Sequence, residues 1–294
     1  MRVLVTGGSG KLGRACVADL LAHGYDVLNA DLVAPPGSVS DFVQLDLRDA
    51  GQVLELLGGL DLCAAPDAVV HLAAIPAPGR TANSATFDAN VTSAYHVFEA
   101  ARRSGVRNVV YASTEIIFGL PFTTPPDSLP VDESSPARPE SAYGLSKLVM
   151  EQMAEQFCRW DPELKMFGLR FSNVQEPGDY AAFARFQHDP LARRWNLWGY
   201  IDVRDAAQAV RRALQSDRRG AEVYVVANAE TVVRTPNREL VDRCFPGTPL
   251  DAARGPNETL LSIAKARRVL GFEPEHHWWS EPALDDGPVE GSGS

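Results

Sequence analysis

The chain has 294 residues, 45% of them hydrophobic, and a formal net charge of −10. That length and apolar content suit one large or two modest globular domains with a full core, and the acidic balance argues against nucleic acid, which needs a basic face. No stretch approaches the roughly 18 apolar residues of a membrane helix.

The N-terminal run is too short for a signal-peptide core. Cys16, Cys63, Cys158 and Cys244 form no CxxC pair, so neither a zinc site nor a disulfide framework is expected. Reduced thiols and a cytoplasmic location are.

Val3-Leu4-Val5 reads as a buried strand. Leu12, Cys16, Val17, Leu20 and Leu21 then recur at helical spacing and stop near His23-Gly24. Further strands are predicted over 26–30, 42–45, 68–72, 108–113 and 165–171. A helix is predicted over 84–104, with Phe87, Val91, Tyr95 and Phe98 on one face, and another over 141–159. Beyond Phe171 the pattern loosens. A helix over 203–216 and a strand over 223–227 return to the sheet. Ser262 is placed as the N-cap of a late helix that ends before Gly271. The tail, 281–294, is rich in Pro, Gly, Ser and acid, and is expected to be disordered. Strands alternating with helices predict a Rossmann-type doubly wound α/β fold, a parallel sheet with helices on both faces.

Gly7, Gly8, Gly10 and Gly13 give a glycine-rich turn between the first strand and the first helix. One glycine permits the sharp turn, one admits a pyrophosphate to the backbone, and one lets the helix pack on the sheet. The free N–H groups and positive dipole end of the helix favour the anion. Asp31 ends the second strand, near the offset at which an acid meets a ribose 2′-hydroxyl. A carboxylate there selects NAD over NADP, and Leu32 and Val33 offer no arginine for the extra phosphate.

Tyr143 and Lys147 form a YxxxK pair, which a helix puts on one face. A neighbouring ammonium lowers a phenol's pKa from about 10, so Tyr143 is expected to act as a general acid/base.

On these residues the chain resembles the extended short-chain dehydrogenases/reductases, in particular the NAD-dependent epimerase/dehydratase family, from Arg2 to about Pro274. The matching segments are Thr6 to Gly13, Leu45-Asp46-Leu47, His71-Leu72-Ala73-Ala74, Asn90, Ala112-Ser113-Thr114 with Phe118-Gly119, Tyr143 to Lys147, Leu169 to Asn173, and Tyr200 to Asp205. The resemblance implies that Asp46 and Leu47 flank the adenine. It puts Ala73 and Ala74 along the pyrophosphate and nicotinamide ribose, Lys147 on that ribose, and Phe171 at the nicotinamide. Lys11, Leu12, Leu72 and Asn90 complete the cofactor set. Thr114 takes the catalytic hydroxyl position beside Tyr143, and Ser113 should point the other way. The reaction implied is hydride transfer between nicotinamide and a secondary alcohol or ketone carbon of a sugar-like substrate.

Family dehydratases carry two acids after the threonine. Here Glu115 is followed by Ile116, which cannot move a proton. Nucleotide-sugar epimerases carry a longer stretch than 174–199. The run Gln175 to Tyr180 is similar to that of uronate dehydrogenases, but Ala181 and Ala182 stand where those enzymes have a carboxylate-binding arginine. Arg185, Arg193 and Arg194 are the possible replacements, read as surface residues. An NAD-dependent sugar dehydrogenase is therefore expected, with an NAD-retaining epimerase as the alternative. A non-catalytic sensor has no need of Thr114, Tyr143 and Lys147. Glu115 and Asn173 are the candidate contacts to substrate hydroxyls. Trp195, Trp198 and Tyr200 read as core, and His276-His277-Trp278-Trp279 as a surface tail without metal. Residues 1–172 with 200–228 form the expected NAD-binding domain, and 173–199 with 229–280 a small substrate-binding region. The helices over 84–104 and 141–159 imply a homodimer.

Overall fold

Strand and helix alternate along the chain as the periodicity dictates. The computed structural model describes residues 1–37, 39–59 and 64–280. Cys63 and the tail 281–294 lie outside them.

The order is β1 (Arg2–Thr6), α1 (Lys11–Ala22), β2 (Asp26–Asp31), β3 (Asp41–Gln44), α2 (Ala50–Gly58), β4 (Ala68–His71), α3 (Asn83–Arg103), β5 (Asn108–Thr114), α4 (Ala142–Trp160) and β6 (Lys165–Phe171). There follow β7 (Val174–Gln175), α5 (Phe183–His188), β8 (Ile201–Asp202), α6 (Val203–Gln215), β9 (Gly220–Val226), α7 (Asn237–Cys244) and α8 (Ala264–Leu270). Seven strands form one sheet in the order β3-β2-β1-β4-β5-β6-β9, and every pairing is parallel. The Rossmann-type doubly wound sheet is what the sequence predicts.

The strands are apolar on both faces because both faces are covered. Val3 and Val5 join Cys16, Val17 and Leu20 of α1 and Ala206 and Val210 of α6 in one core. Leu4 points the other way, into a second core with Leu56 of α2, Val97 and Phe98 of α3, and Met150 and Phe157 of α4. Each fully buried Val or Leu contributes about 1.5–3 kcal/mol relative to exposure. A buried lysine ties the first core together: Lys165 Nζ donates to the carbonyls of Ala213, Leu214 and Ser216, at the otherwise open C-terminal end of α6.

Four expectations change. Helix α2 is present although the strand pattern passes over it. Asp49 caps it by accepting from Gly51 and Gln52 N–H, and Val53, Leu56 and Leu57 are its buried face. On α3 the buried face runs through Thr86, Asn90, Ala94, Val97, Phe98 and Ala101. Tyr95 is exposed, and Phe87 and Val91 are only half-buried, so the apolar stripe is split between core and surface. Ser262 is not the N-cap of α8; Ile263 is, and the helix ends on Gly271 in the left-handed region as expected. The histidine tail is not a surface tail. His276 Nδ1 and N–H meet the Asp205 carboxylate at 2.7 and 3.0 Å, His277 Nδ1 meets Glu230 at 3.2 Å, and Trp278 is buried.

Candidate active site

The C-terminal ends of β1, β4, β5 and β6 open into a cleft of about 1330 Å³. In an open parallel sheet, ligands bind at this edge, where the strand order reverses. Here that point lies between β1 and β4, with Thr6 paired to His71.

The glycine turn is built by close approach. Gly7 has φ 75°, its N–H donates to Ala30 O at 2.9 Å, and an added Cβ would lie 2.5 Å from Ala73 N. At Gly13 a Cβ would lie 2.1 Å from Gly7 O and 2.6 Å from Gly8 Cα, so this glycine seats the helix on the turn. At Gly10 a Cβ would meet only Gly7 O, at 3.3 Å. Gly10 caps α1 without a side chain, leaving the first N–H groups of the helix toward the cleft. Asp31 accepts from Ser9 N–H at 3.1 Å and Leu32 N–H at 2.7 Å, fixing the carboxylate beside the turn. Asn29 braces the same turn by donating to Ser9 Oγ at 3.3 Å.

Leu12, Leu47, Leu72, Ala73, Ala74 and Phe171 line the cleft. Asp46 lines it too, clamped by Arg48 at 2.6 Å, and that hydrogen-bonded guanidinium holds the Asp46 carboxyl below its ordinary range. Asn90 holds the loop after β4: it donates to Ile75 O, accepts from Ile75 N–H, and donates to Ser146 Oγ at 3.2 Å. Lys11 reaches across the cleft rather than into it. Its Nζ donates to Asp179 at 2.6 Å, and Arg14 meets Glu176 at 3.0 Å, tying α1 to the start of the 176–200 span. This groove fits a dinucleotide: glycines where backbone must be bare, helix N–H groups at its floor, and an acid at the ribose end.

Thr114 ends β5, Tyr143 and Lys147 lie on the first turns of α4, and all three line the cleft. The Thr114 hydroxyl lies close enough to the Tyr143 phenol to lower its pKa, and it accepts from Ile116 N–H at 3.2 Å. Ser113 points away, as strand alternation predicts, and donates to Glu151 at 2.6 Å. Glu151 forms a buried two-pronged ion pair with Arg170, at 2.9 and 2.8 Å, beneath the site. The Tyr143–Lys147 electrostatics differ from the expectation. Burial pushes the phenol up to about 12, Thr114 pulls it back, and Glu115 adds to the rise. The Lys147 ammonium donates to Ala112 O at 2.8 Å and lies 6.0 Å from the Tyr143 ring centre. Its own burial pushes it down to about 8. Burial is the largest cause for both groups.

Beyond Tyr143 the sequence marks only part of what assembles. Glu115 is buried, with Oε1 accepting from Asn196 at 3.2 Å, and burial pushes its carboxyl up to about 7. Asn173 accepts from Gln175 and, at 3.4 Å, from Arg193 Nη1. Arg193 is not a surface residue; it is 6% exposed and also donates to Asn196 Oδ1 and Gly199 O. Trp198 and Tyr200 are core, whereas Trp195 lines the cleft. His71 pairs with Thr6 Oγ1 at 2.8 Å, and burial pushes its ring down to about 3, so it is neutral.

With this geometry in view, residues 3–227 match the NAD dependent epimerase/dehydratase family. The chain belongs to that family. It is an NAD-dependent enzyme of the extended short-chain dehydrogenase/reductase type, with NAD as cofactor. The L-arabinose 1-dehydrogenase (NAD(P)(+)) of Haloferax volcanii is 34% identical, covering 93% of this chain and 96% of that protein. The UDP-glucose 4-epimerase of Corynebacterium glutamicum is 27% identical, covering 94% and 92%. The structure of a UDP-glucose-4-epimerase from Stenotrophomonas maltophila with bound NAD superimposes with a TM-score of 0.73 at 23% identity, covering 96% of this chain and 95% of that one. Among the described residues no helix is long and apolar enough to cross a membrane.

Proposed function

We propose that the protein is an NAD-dependent dehydrogenase of a free sugar, oxidising a secondary alcohol or hemiacetal carbon. The observation that carries this is the convergence of Thr114, Tyr143 and Lys147 on one cleft with the glycine turn, a cleft that Val174, Gln175, Asp179 and Trp195 of the short 174–199 span also line. The arabinose dehydrogenase relative supports it, since it matches over nearly the whole chain. NAD supplies the hydride acceptor when bound. Tyr143 takes the hydroxyl proton as the alcohol becomes a carbonyl, Thr114 holds the same oxygen, and Lys147 orients the nicotinamide ribose. Glu115 and Asn173 contact neighbouring hydroxyls. Asp31 holds the adenosine ribose and selects NAD over NADP. Residues 173–199 and 229–280 serve as the substrate-binding region.

An NAD-retaining epimerase is the second reading, favoured by relatives named UDP-glucose 4-epimerases. Absorbance of the reduced nicotinamide separates the two. A dehydrogenase accumulates NADH in proportion to sugar. Interconversion of UDP-sugars with no net NADH would instead establish the epimerase. The same reading takes the protein as a homodimer, because Tyr95 on α3 and Leu145 and Trp160 on α4 leave apolar surface exposed on two adjacent helices. Light scattering at micromolar concentration should give twice the chain mass; a monomer would remove this part.

A further inference from the structure

We infer that the substrate end of the cleft selects an uncharged sugar over a sugar acid or a sugar phosphate, and that Glu115 sets this preference. The inference rests on the dehydrogenase reading above and names the substrate class that reading leaves open.

Glu115 follows Thr114 directly, lines the cleft, and is near enough to Tyr143 to raise its phenol. Only 2% of it is exposed, so its field is poorly screened. Its Oε2 has no hydrogen bond of good geometry among the described residues, although the Ser172 hydroxyl lies close enough to stabilise the charge. A carboxyl group hydrogen-bonds sugar hydroxyls in either protonation state. Above about pH 7, where the buried Glu115 carboxyl is ionised, a second anion brought beside it meets like-charge repulsion, so the comparison of neutral and acidic sugars is made at pH 8.

All but one of the cations near that end, among the described residues, already have partners. Arg193 is nearest. Its Nε, Nη1 and Nη2 donate to Asn196, Asn173 and Gly199, and its guanidinium lies over the Phe186 and Trp195 rings at 5.3 Å each. It is not among the residues that line the cleft. Of the lining cations, Lys11 is paired with Asp179 and Arg48 with Asp46, while Lys147 donates to Ala112 O and is the cation the proposed reading gives to the nicotinamide ribose. Arg80 remains, exposed on the loop after β4 and without an ion pair among the described residues. Among the described residues it is the lining cation left open to an anionic substrate, which makes it the decisive control.

The test uses full-length Tyr143→Phe protein loaded with NAD, so that sugars bind without turnover. Arabinose, galactose and glucose are titrated against galacturonate, glucuronate and glucose 6-phosphate by calorimetry. The neutral sugars should bind at least tenfold more tightly than their acidic counterparts. Adding Glu115→Gln should bring that ratio within about threefold. Equal or tighter binding of the acids overturns the inference, as does a ratio that Glu115→Gln leaves unchanged, or binding of UDP-sugars alone. Arg80→Ala, in the Tyr143→Phe protein, should leave the ratio unchanged. Selective loss of acid binding there identifies an anion subsite and also overturns the inference, even if Glu115→Gln does not fold. NADH formation by the unmodified enzyme is read separately. Selective binding with no NADH from any sugar fails the dehydrogenase reading but not the selectivity.

Discussion

The Lys147 ammonium donates to the Ala112 carbonyl at 2.8 Å while the Thr114 hydroxyl lies close enough to the Tyr143 phenol to lower its pKa, so the two residues of the YxxxK pair meet different strand-end groups. Burial starts the phenol at about 12 rather than below 10, and Thr114 only partly offsets it. For alcohol oxidation the active form is phenolate, so kcat/KM for the sugar should climb with pH from 6 to 8. The rise should soften above about 8 as Lys147 loses its charge, its ammonium being pushed down to about 8 by burial. Lys147→Arg, which keeps the charge, should straighten the profile. A flat profile from pH 6 to 9 contradicts this. Tyr143→Phe should lower kcat by about 10²–10⁴, the usual contribution of a general acid/base, with NAD affinity by calorimetry unchanged.

Glu115 links the site to stability. Its folded pKa is raised from 4.5 to about 7. The unfolded chain releases this proton at lower pH than the folded one, so stability falls as pH rises from about 4.5 to 7 and is level above. At 1.36 kcal/mol per pKa unit the penalty is about 3 kcal/mol. Glu115→Gln should be more stable than the unmodified protein at pH 8 by that order and nearly equal at pH 4.5. Urea melts at the two pH values decide it.

The glycine turn separates packing from binding. Gly13→Ala places a methyl 2.1 Å from Gly7 O, so both fold and cofactor should suffer, with a loss of about 1–3 kcal/mol or more. Gly10→Ala has no such clash and an ordinary φ of −73°. It should unfold within about 1 kcal/mol of the unmodified protein yet bind NAD at least tenfold more weakly. Denaturation and NAD titration of the two variants check the split.

Asp31 accepts from two backbone N–H groups and lines the cleft. Asp31→Ser should cut the ratio of kcat/KM for NAD to that for NADP at least tenfold. Equal use of both cofactors by the unmodified enzyme would remove the assignment.

The Glu151–Arg170 pair is buried and bidentate, with side chains 5% and 7% exposed. Glu151→Ala strands a guanidinium and should cost about 3–5 kcal/mol. A melting temperature within a degree of the unmodified protein would show the pair to be dispensable.

The parallel sheet was legible because strands covered on both faces are apolar runs bounded by glycine or polar residues. The glycine turn and the Tyr143–Lys147 pair were legible because their chemistry is local in sequence. Helix α2 carries its own signal, a capping Asp49 and a short apolar face, but only nine residues of it. The α3 stripe misleads because Phe87, Val91 and Tyr95 are apolar without being core; period alone does not say which side faces the sheet. The position of Arg193 was not legible. Its burial depends on Asn173, Asn196 and Gly199 meeting around it, contacts made by the path of a loop. The sign of the Tyr143 shift was hidden for the same reason, since spacing brings Lys147 near but says nothing of how dry the phenol is.

The two-residue ladder of β7 and β8, with Val174 opposite Ile201 and Gln175 opposite Asp202, closes the span from 176 to 200 at its base. Thr114, Tyr143 and Lys147 all lie outside that loop. Doubling its length would add only about 0.6 kcal/mol of closure entropy. On the proposed reading, a longer segment grafted onto this ladder should admit a bulkier sugar without moving Thr114, Tyr143 or Lys147.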